Sequence, residues 1–224
     1  VESDEIMISG LVVKDFSYNF SRKQAKYSLH EYFTEHNLIG IADVDTASSG
    51  FFGGVNGIKI IGSEDGKYLG NSVSGAGDIN GDGIDDVIIG VTYQDASLPA
   101  RSEAGMAVIL FGKLSGWADI DMSSFVAADD LGFRVIGKNG GDRLGRAVSS
   151  AGDFNGDGFA DVVIGAYFAN PPNGVDAGIS YVLFGHVNST SFPDIDLNSV
   201  SLDSSSGFEI WGVNSYDVTG QVVA

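Results

Sequence analysis

Residues 57–90, GIKIIGSEDGKYLGNSVSGAGDINGDGIDDVIIG, and residues 132–165, GFRVIGKNGGDRLGRAVSSAGDFNGDGFADVVIG, align without a gap. Asp78 is answered by Asp153 and Gly57 by Gly132, a period of 75 residues. AGMAVILFG (104–112) is then matched by AGISYVLFG (177–185), and ADIDMSS (118–124) by PDIDLNS (193–199). GFEIWG (207–212) opens a further copy, and the chain stops at Ala224 before a third acidic segment falls due. Fixed-period repetition constrains the fold strongly: the same supersecondary unit must form several times, and each copy must bury a face against its neighbour.

The unit reads as four strands. LGNSVSGAG and LGRAVSSAG alternate small and apolar residues, while DVIIGV and DVVIGA are the short β-branched runs of a strand buried on both faces. AVILFG and ISYVLFG supply a third strand, and IKIIG, FRVIG and EIWG a fourth. Clusters of Gly, Asn and Asp between them leave no run long enough for a helix. The predicted fold is all-β, built of β-propeller blades of four antiparallel strands. The divisions are a degenerate or partial blade over 1–56, repeats over 57–131 and 132–206, and a further repeat beginning at 207–224. DEIMISG (4–10) and IADVDTAS (41–48) are the pieces of 1–56 that echo the repeat. About three blade-equivalents fall below the usual four to eight, so the chain reads as an excerpt of a larger propeller.

The repeat concentrates its charge. DINGDGIDD (78–86) and DFNGDGFAD (153–161) each crowd carboxylates into nine residues. Asp78, Asn80, Asp82 and Asp86 stand at the first, third, fifth and ninth places, as do Asp153, Asn155, Asp157 and Asp161. Alternate spacing turns successive oxygen side chains inward on a curled backbone, and Gly83 and Gly158 permit the bend. The carbonyls of Ile84 and Phe159, at the seventh place, add a neutral ligand. Five protein oxygens per loop suit Ca2+, giving two sites; Mg2+ takes fewer protein ligands, and zinc prefers nitrogen or sulfur. An EF-hand is excluded, because its twelfth-place Glu is here Ile89 or Ile164, within β-branched runs. Asp85 is Ala160 in the second copy and reads as an outward charge.

AGDINGDGIDDVIIG, AGDFNGDGFADVVIG and the pairs Phe111–Gly112 and Phe184–Gly185 resemble the FG-GAP repeat, the blade unit of the integrin α-subunit propeller and of many bacterial surface proteins. The resemblance covers roughly 57–212 and is faint over 1–56. It implies a calcium loop joining the first two strands of a blade and ligand recognition on the opposite face. The family's "GAP" element departs here, reading GVT at Gly90–Thr92 and GAY at Gly165–Tyr167. The lack of cysteine favours the bacterial branch over an animal integrin.

With 30 acidic against 12 basic side chains and a net charge of −18, the chain suits cations and not nucleic acid. No apolar run reaches the roughly 20 residues of a membrane helix. No nucleophile elbow, phosphate loop or dinucleotide motif occurs, so no catalytic residue is assigned. His30, His36 and His186 are scattered and read as surface residues. Trp117 and Trp211 read as fillers between blades. The long connections 92–105 and 166–178 fall, with 62–69 and 137–144, on the face opposite the acidic loops, a place for a protein or glycan ligand. The expected function is a non-enzymatic, calcium-binding extracellular or cell-surface module for adhesion or ligand binding. The alternative is an accessory propeller of a secreted hydrolase or lyase whose catalytic residues lie elsewhere.

Overall fold

The computed structural model describes residues 5–8, 11–14, 58–97, 99–114, 118–127, 131–172, 174–187 and 192–224. Most of the 1–56 segment, with His30 and His36, lies outside the described residues, as does Trp117. Every regular element of two or more residues in the described chain is a strand. They are β1 (Glu5–Ile8), β2 (Leu11–Lys14), β3 (Ile58–Ile61), β4 (Leu69–Gly77), β5 (Asp86–Val91), β6 (Ala96–Ser97), β7 (Ala100–Arg101) and β8 (Met106–Leu110). β9 (Ile120–Asp121), β10 (Gly132–Ile136), β11 (Leu144–Gly152), β12 (Asp161–Ala166), β13 (Ile179–Leu183), β14 (Ile195–Asp196) and β15 (Gly207–Trp211) complete the order.

Two sheets have the four-stranded antiparallel pattern of a propeller blade. One runs β4, β5, β8, β10, and the other β11, β12, β13, β15. Each blade therefore takes its outer strand from the start of the following sequence repeat. The ADID and PDID motifs add short parallel strands, β9 on β3 and β14 on β10. Their aspartates fix this edge: Asp119 accepts a hydrogen bond from the Lys59 amide at 2.9 Å, and Asp194 from the Arg134 amide at 2.8 Å and its guanidinium Nε at 3.0 Å. The first sheet differs. β1 and β2 are antiparallel, but β2 pairs with β3 in parallel. β6 and β7 form a small hairpin within the connection from β5 to β8.

Burial follows from stacking. Ile88, Ile109, Phe133 and Val135 on one blade form a single cluster with Leu144, Val162, Ile164 and Tyr181 on the next. A second cluster joins Ile58, Ile60 and Ile120 to Leu69, Ile89, Val91 and Val108, so β3 and β9 cover the other face of the first blade. Phe133 stacks on Phe192 with centroids 5.3 Å apart, and Phe111 meets Phe192 edge-on at 5.0 Å. Beyond the second blade the cover ends among the described residues: Ile210 is 46% exposed, whereas Val135 one period earlier is 0%. Trp211 is likewise 43% exposed, its indole N–H donating to Glu209 at 2.6 Å. It fills no gap between described blades, because no described strand lies beyond its face.

Removing the Phe133 ring empties the centre of the seam between blades. Phe133→Ala should lower unfolding free energy by about 3–5 kcal/mol, read as a shifted midpoint in urea at unchanged slope.

Candidate metal centre

Each acidic segment links the first two strands of a blade, β4 to β5 and β11 to β12, as the resemblance implied. The strand pairing shifts register just before each loop, between Gly75 and Gly77 and between Ser150 and Gly152. Such bulges commonly re-aim a chain next to a site. Gly83 (φ 86°) and Gly158 (φ 95°) then take left-handed conformations at the bend, which an L side chain would strain.

The first-place aspartate organises the curl. Asp78 Oδ1 accepts from the amides of Gly81 at 2.8 Å and Asp82 at 3.0 Å, and its Oδ2 from Gly83 at 2.9 Å. Asp153 accepts from Asp157 and Gly158, both at 3.0 Å. Asn80 Oδ1 takes the Asp82 amide at 2.9 Å, and Asp82 Oδ1 the Ile84 amide at 2.8 Å. Asn155 and Asp157 repeat this with the amides of Asp157 and Phe159. The Asn80 amide nitrogen also donates to Asp82 at 3.1 Å, and that of Asn155 to Asp157 at 2.8 Å.

The ninth-place aspartates are buried, Asp86 at 1% and Asp161 at 0% exposure. Asp86 Oδ2 accepts from the Ile79 amide at 2.9 Å, and its Oδ1 from the Gly112 amide at 2.8 Å. Asp161 Oδ2 accepts from Phe154 at 2.7 Å, and its Oδ1 from Gly185 at 2.9 Å. The Phe-Gly pairs therefore belong to the site, a role that sequence reasoning missed although the pairs repeat. Glycine is required there because a Cβ on Gly112 would lie 2.4 Å from the Asp85 carbonyl oxygen, and one on Gly185 2.2 Å from that of Ala160.

Among the described residues no ion pair reaches any of these six aspartates. Nor do three acidic or imidazole side chains converge there closely enough to form a metal cluster by carboxylates alone. The donor set is nonetheless all oxygen, and most of these oxygens accept one amide and keep a second lone pair. That chemistry fits a hard cation. Burial pushes the Asp86 carboxyl up to about 6, the Gly112 and Ile79 amides oppose this, and the charges of Asp82 and Asp78 add to it.

The opposite ends of the strands gather the long connections. The Gly105 amide donates to the Gln94 carbonyl, Gly137 to Gly105, and Leu144 to Ala104. Arg143 lies between the rings of Tyr93 (4.9 Å) and Phe168 (4.8 Å) and donates to Glu103 at 2.8 Å and to the Tyr167 hydroxyl at 3.3 Å. Arg146 stands over the Tyr167 ring at 6.0 Å. Arg101, 8% exposed, ties β7 to the next turn through the Lys138 carbonyl at 3.0 Å and Asp196 at 2.6 Å. This seam of arginine and aromatic rings draws on separated positions, and no local pattern marks it. His186 is exposed, as expected, and packs on Phe192.

The FG-GAP repeat model matches residues 69–110 and 144–183. A different model, the CPSase domain of the carbamoyl-phosphate synthase small chain, matches residues 1–48. The chain is 30% identical to integrin alpha pat-2 of Caenorhabditis elegans over 135 residues, 56% of this chain and 10% of that protein. It is 30% identical to integrin alpha-PS2 of Drosophila melanogaster over 132 residues, 58% of this chain and 9% of the relative. The carbamoyl phosphate synthase small chain of Aquifex aeolicus is 41% identical over 46 residues, 20% of this chain and 12% of the relative. The chain thus spans about a tenth of the length of these relatives. The integrin relatives are animal proteins and lend no support to the expectation of a bacterial branch.

In the chelated protein the raised Asp86 carboxyl implies a definite pH response. Between the unfolded value near 3.8 and the folded value near 6, the native state holds the proton that the unfolded state has lost. Stability from this group is full below about pH 4 and falls as pH rises through 6. Relative to Asp86→Asn, the native sequence should lose about 3 kcal/mol between pH 4 and pH 7.5, measured by urea denaturation of both proteins in EDTA.

Proposed function

The chain carries FG-GAP repeats at 69–110 and 144–183, and from that premise we propose that residues 58–224 act as a calcium-stabilised propeller module for adhesion or ligand binding outside the cell. The observation that carries this reading is the pair of matching loops whose six aspartates have no basic partner among the described residues. Asp78, Asn80, Asp82, the Ile84 carbonyl and Asp86 hold one ion. Asp153, Asn155, Asp157, the Phe159 carbonyl and Asp161 hold the other. The ion's role is structural: it neutralises the loop and fixes the turn, so metal binding and folding are linked. Millimolar external calcium saturates even a weak site of this kind. At 100-fold excess over Kd each ion adds about 2.7 kcal/mol.

Ligand recognition falls to the opposite face, where Tyr93, Arg143, Tyr167 and Phe168 are locked against one another. Rigid rings at the seam of two blades offer contact area at small entropic cost. Integrin α-subunits are the relatives of this region, which supports a protein ligand. No catalytic role is assigned to the repeats. Residues 1–48, similar to another family, are no part of this reading.

Calorimetric titration of the chelated chain should give two calcium ions per molecule, and Asp157→Ala one. Calcium should restore the melting temperature lost in EDTA, and magnesium should restore less. Two ions retained by the variant, or equal action of the two metals, overturns the assignment.

A further inference from the structure

Two short chains of backbone contacts join the second acidic loop to the first. One starts at the seventh and eighth places of the second loop. The Ala160 amide donates to the Asp78 carbonyl at 3.0 Å, and the edge of the Phe159 ring lies 2.3 Å from where a Cβ on Gly81 would stand. Asp78 is the residue whose carboxylate gathers the Gly81, Asp82 and Gly83 amides. The other chain starts at the ninth place. Asp161 Oδ1 accepts from the Gly185 amide at 2.9 Å, and the adjoining His186 amide donates to the Ile79 carbonyl at 3.0 Å. The Ile79 amide in turn donates to Asp86 Oδ2 at 2.9 Å. The two buried carboxylates, one period apart, are thus connected through the Gly185–His186 corner and Ile79.

These contacts leave no slack. A Cβ on Gly185 would lie 2.8 Å from the Ile79 carbonyl oxygen, and one on Gly77 2.6 Å from the Ala160 Cβ. Close-packed atoms pass a displacement on to their neighbours. If the second curl frays, Ala160 leaves the Asp78 carbonyl and Phe159 leaves the Gly81 backbone, so the first curl loses support at the residue that organises it.

We propose that the two acidic loops are conformationally coupled, with Phe159–Ala160 and the Gly185–His186 corner as the transmitting elements, so that ordering the second loop orders the first. With calcium as the ordering ligand, the reading put forward above, the coupling becomes positive cooperativity between the two ions. By linkage each ion then strengthens the binding of the other by the same factor. One transmitted hydrogen bond corresponds to about fivefold.

Amide hydrogen exchange of the full chain in EDTA tests the coupling without metal. Asp157→Ala removes the acceptor of the Phe159 amide and loosens the second curl. The Asp82 and Gly83 amides of the first loop should then lose about fivefold in protection. The Gly105 amide, bonded to the Gln94 carbonyl at the other end of the same blade, should keep its own. Phe159→Ala leaves every proposed ligand of the second loop in place and should lower protection of the first loop in the same way. Unchanged protection there, or an equal loss at Gly105, overturns the coupling. A calcium titration followed by the NMR signals of the same amides should place half-saturation of the first loop at about fivefold higher calcium in Phe159→Ala, and an unmoved midpoint also overturns it. Failure of either loop in the unsubstituted chain to respond to calcium counts against the metal assignment alone, since exchange in EDTA still decides the coupling.

Discussion

A buried carboxylate that accepts backbone amides from two sides fixes each blade of this protein. Asp86 joins the amide at the head of its loop to the amide that follows the third strand, and Asp161 does the same one period later. A carboxylate taken from water costs several kcal/mol unless its oxygens are satisfied. Here the satisfying donors are the groups whose positions define the turn. The loop, the start of the second strand and the Phe-Gly corner are therefore set by one side chain. Asp78 and Asp153 then draw the rest of the curl inward. A cation in such a loop would relieve the charge that crowding accumulates without rebuilding the backbone.

The same architecture explains why the repeats cannot be understood singly. A four-stranded sheet with apolar residues on both faces has one face too many, and the neighbour supplies the cover. Val135 and Ile210 occupy equivalent places in β10 and β15, yet the first is sealed and the second nearly half exposed. Their chemistry is almost identical, so the difference is wholly one of stacking. Among the described residues the first acidic loop lies beneath Phe159 and Ala160 of the next blade, and nothing lies within 4 Å of a Cβ built on Gly156 or Gly158 in the second.

Much of the fold was legible because its signals are local and repeated. The β-branched runs at 86–91 and 161–166 became β5 and β12, and the nine-residue alternations became β4 and β11. The Asp and Asn positions of the loops followed from spacing. What the sequence hid is what depends on distant partners. The ADID and PDID segments were visible as repeats, but a two-residue parallel strand has no periodicity to detect. Arg143 adopts φ 56°, and Tyr68 and Val218 share that left-handed form at the equivalent places, although none is glycine. The Arg143 seam gathers residues from 93, 103, 167 and 168, and only the folded connections bring them together.

Residues 1–48 match a different family model from the repeats. Its matched relatives are small chains of carbamoyl phosphate synthase, while the repeats match integrin α-subunits. β2 joins β3 in parallel, whereas the four main strands of the two later blades pair antiparallel throughout. β3 nevertheless belongs with the repeats, both by packing and by its pairing with β9. Ile58 and Ile60 bury against Leu69, Ile89 and Val91 of the first blade, and β9, a product of the ADID motif, lies along the outer edge of β3 as β14 lies along that of β10. Among the described residues the apolar cover of the first blade therefore begins at Ile58.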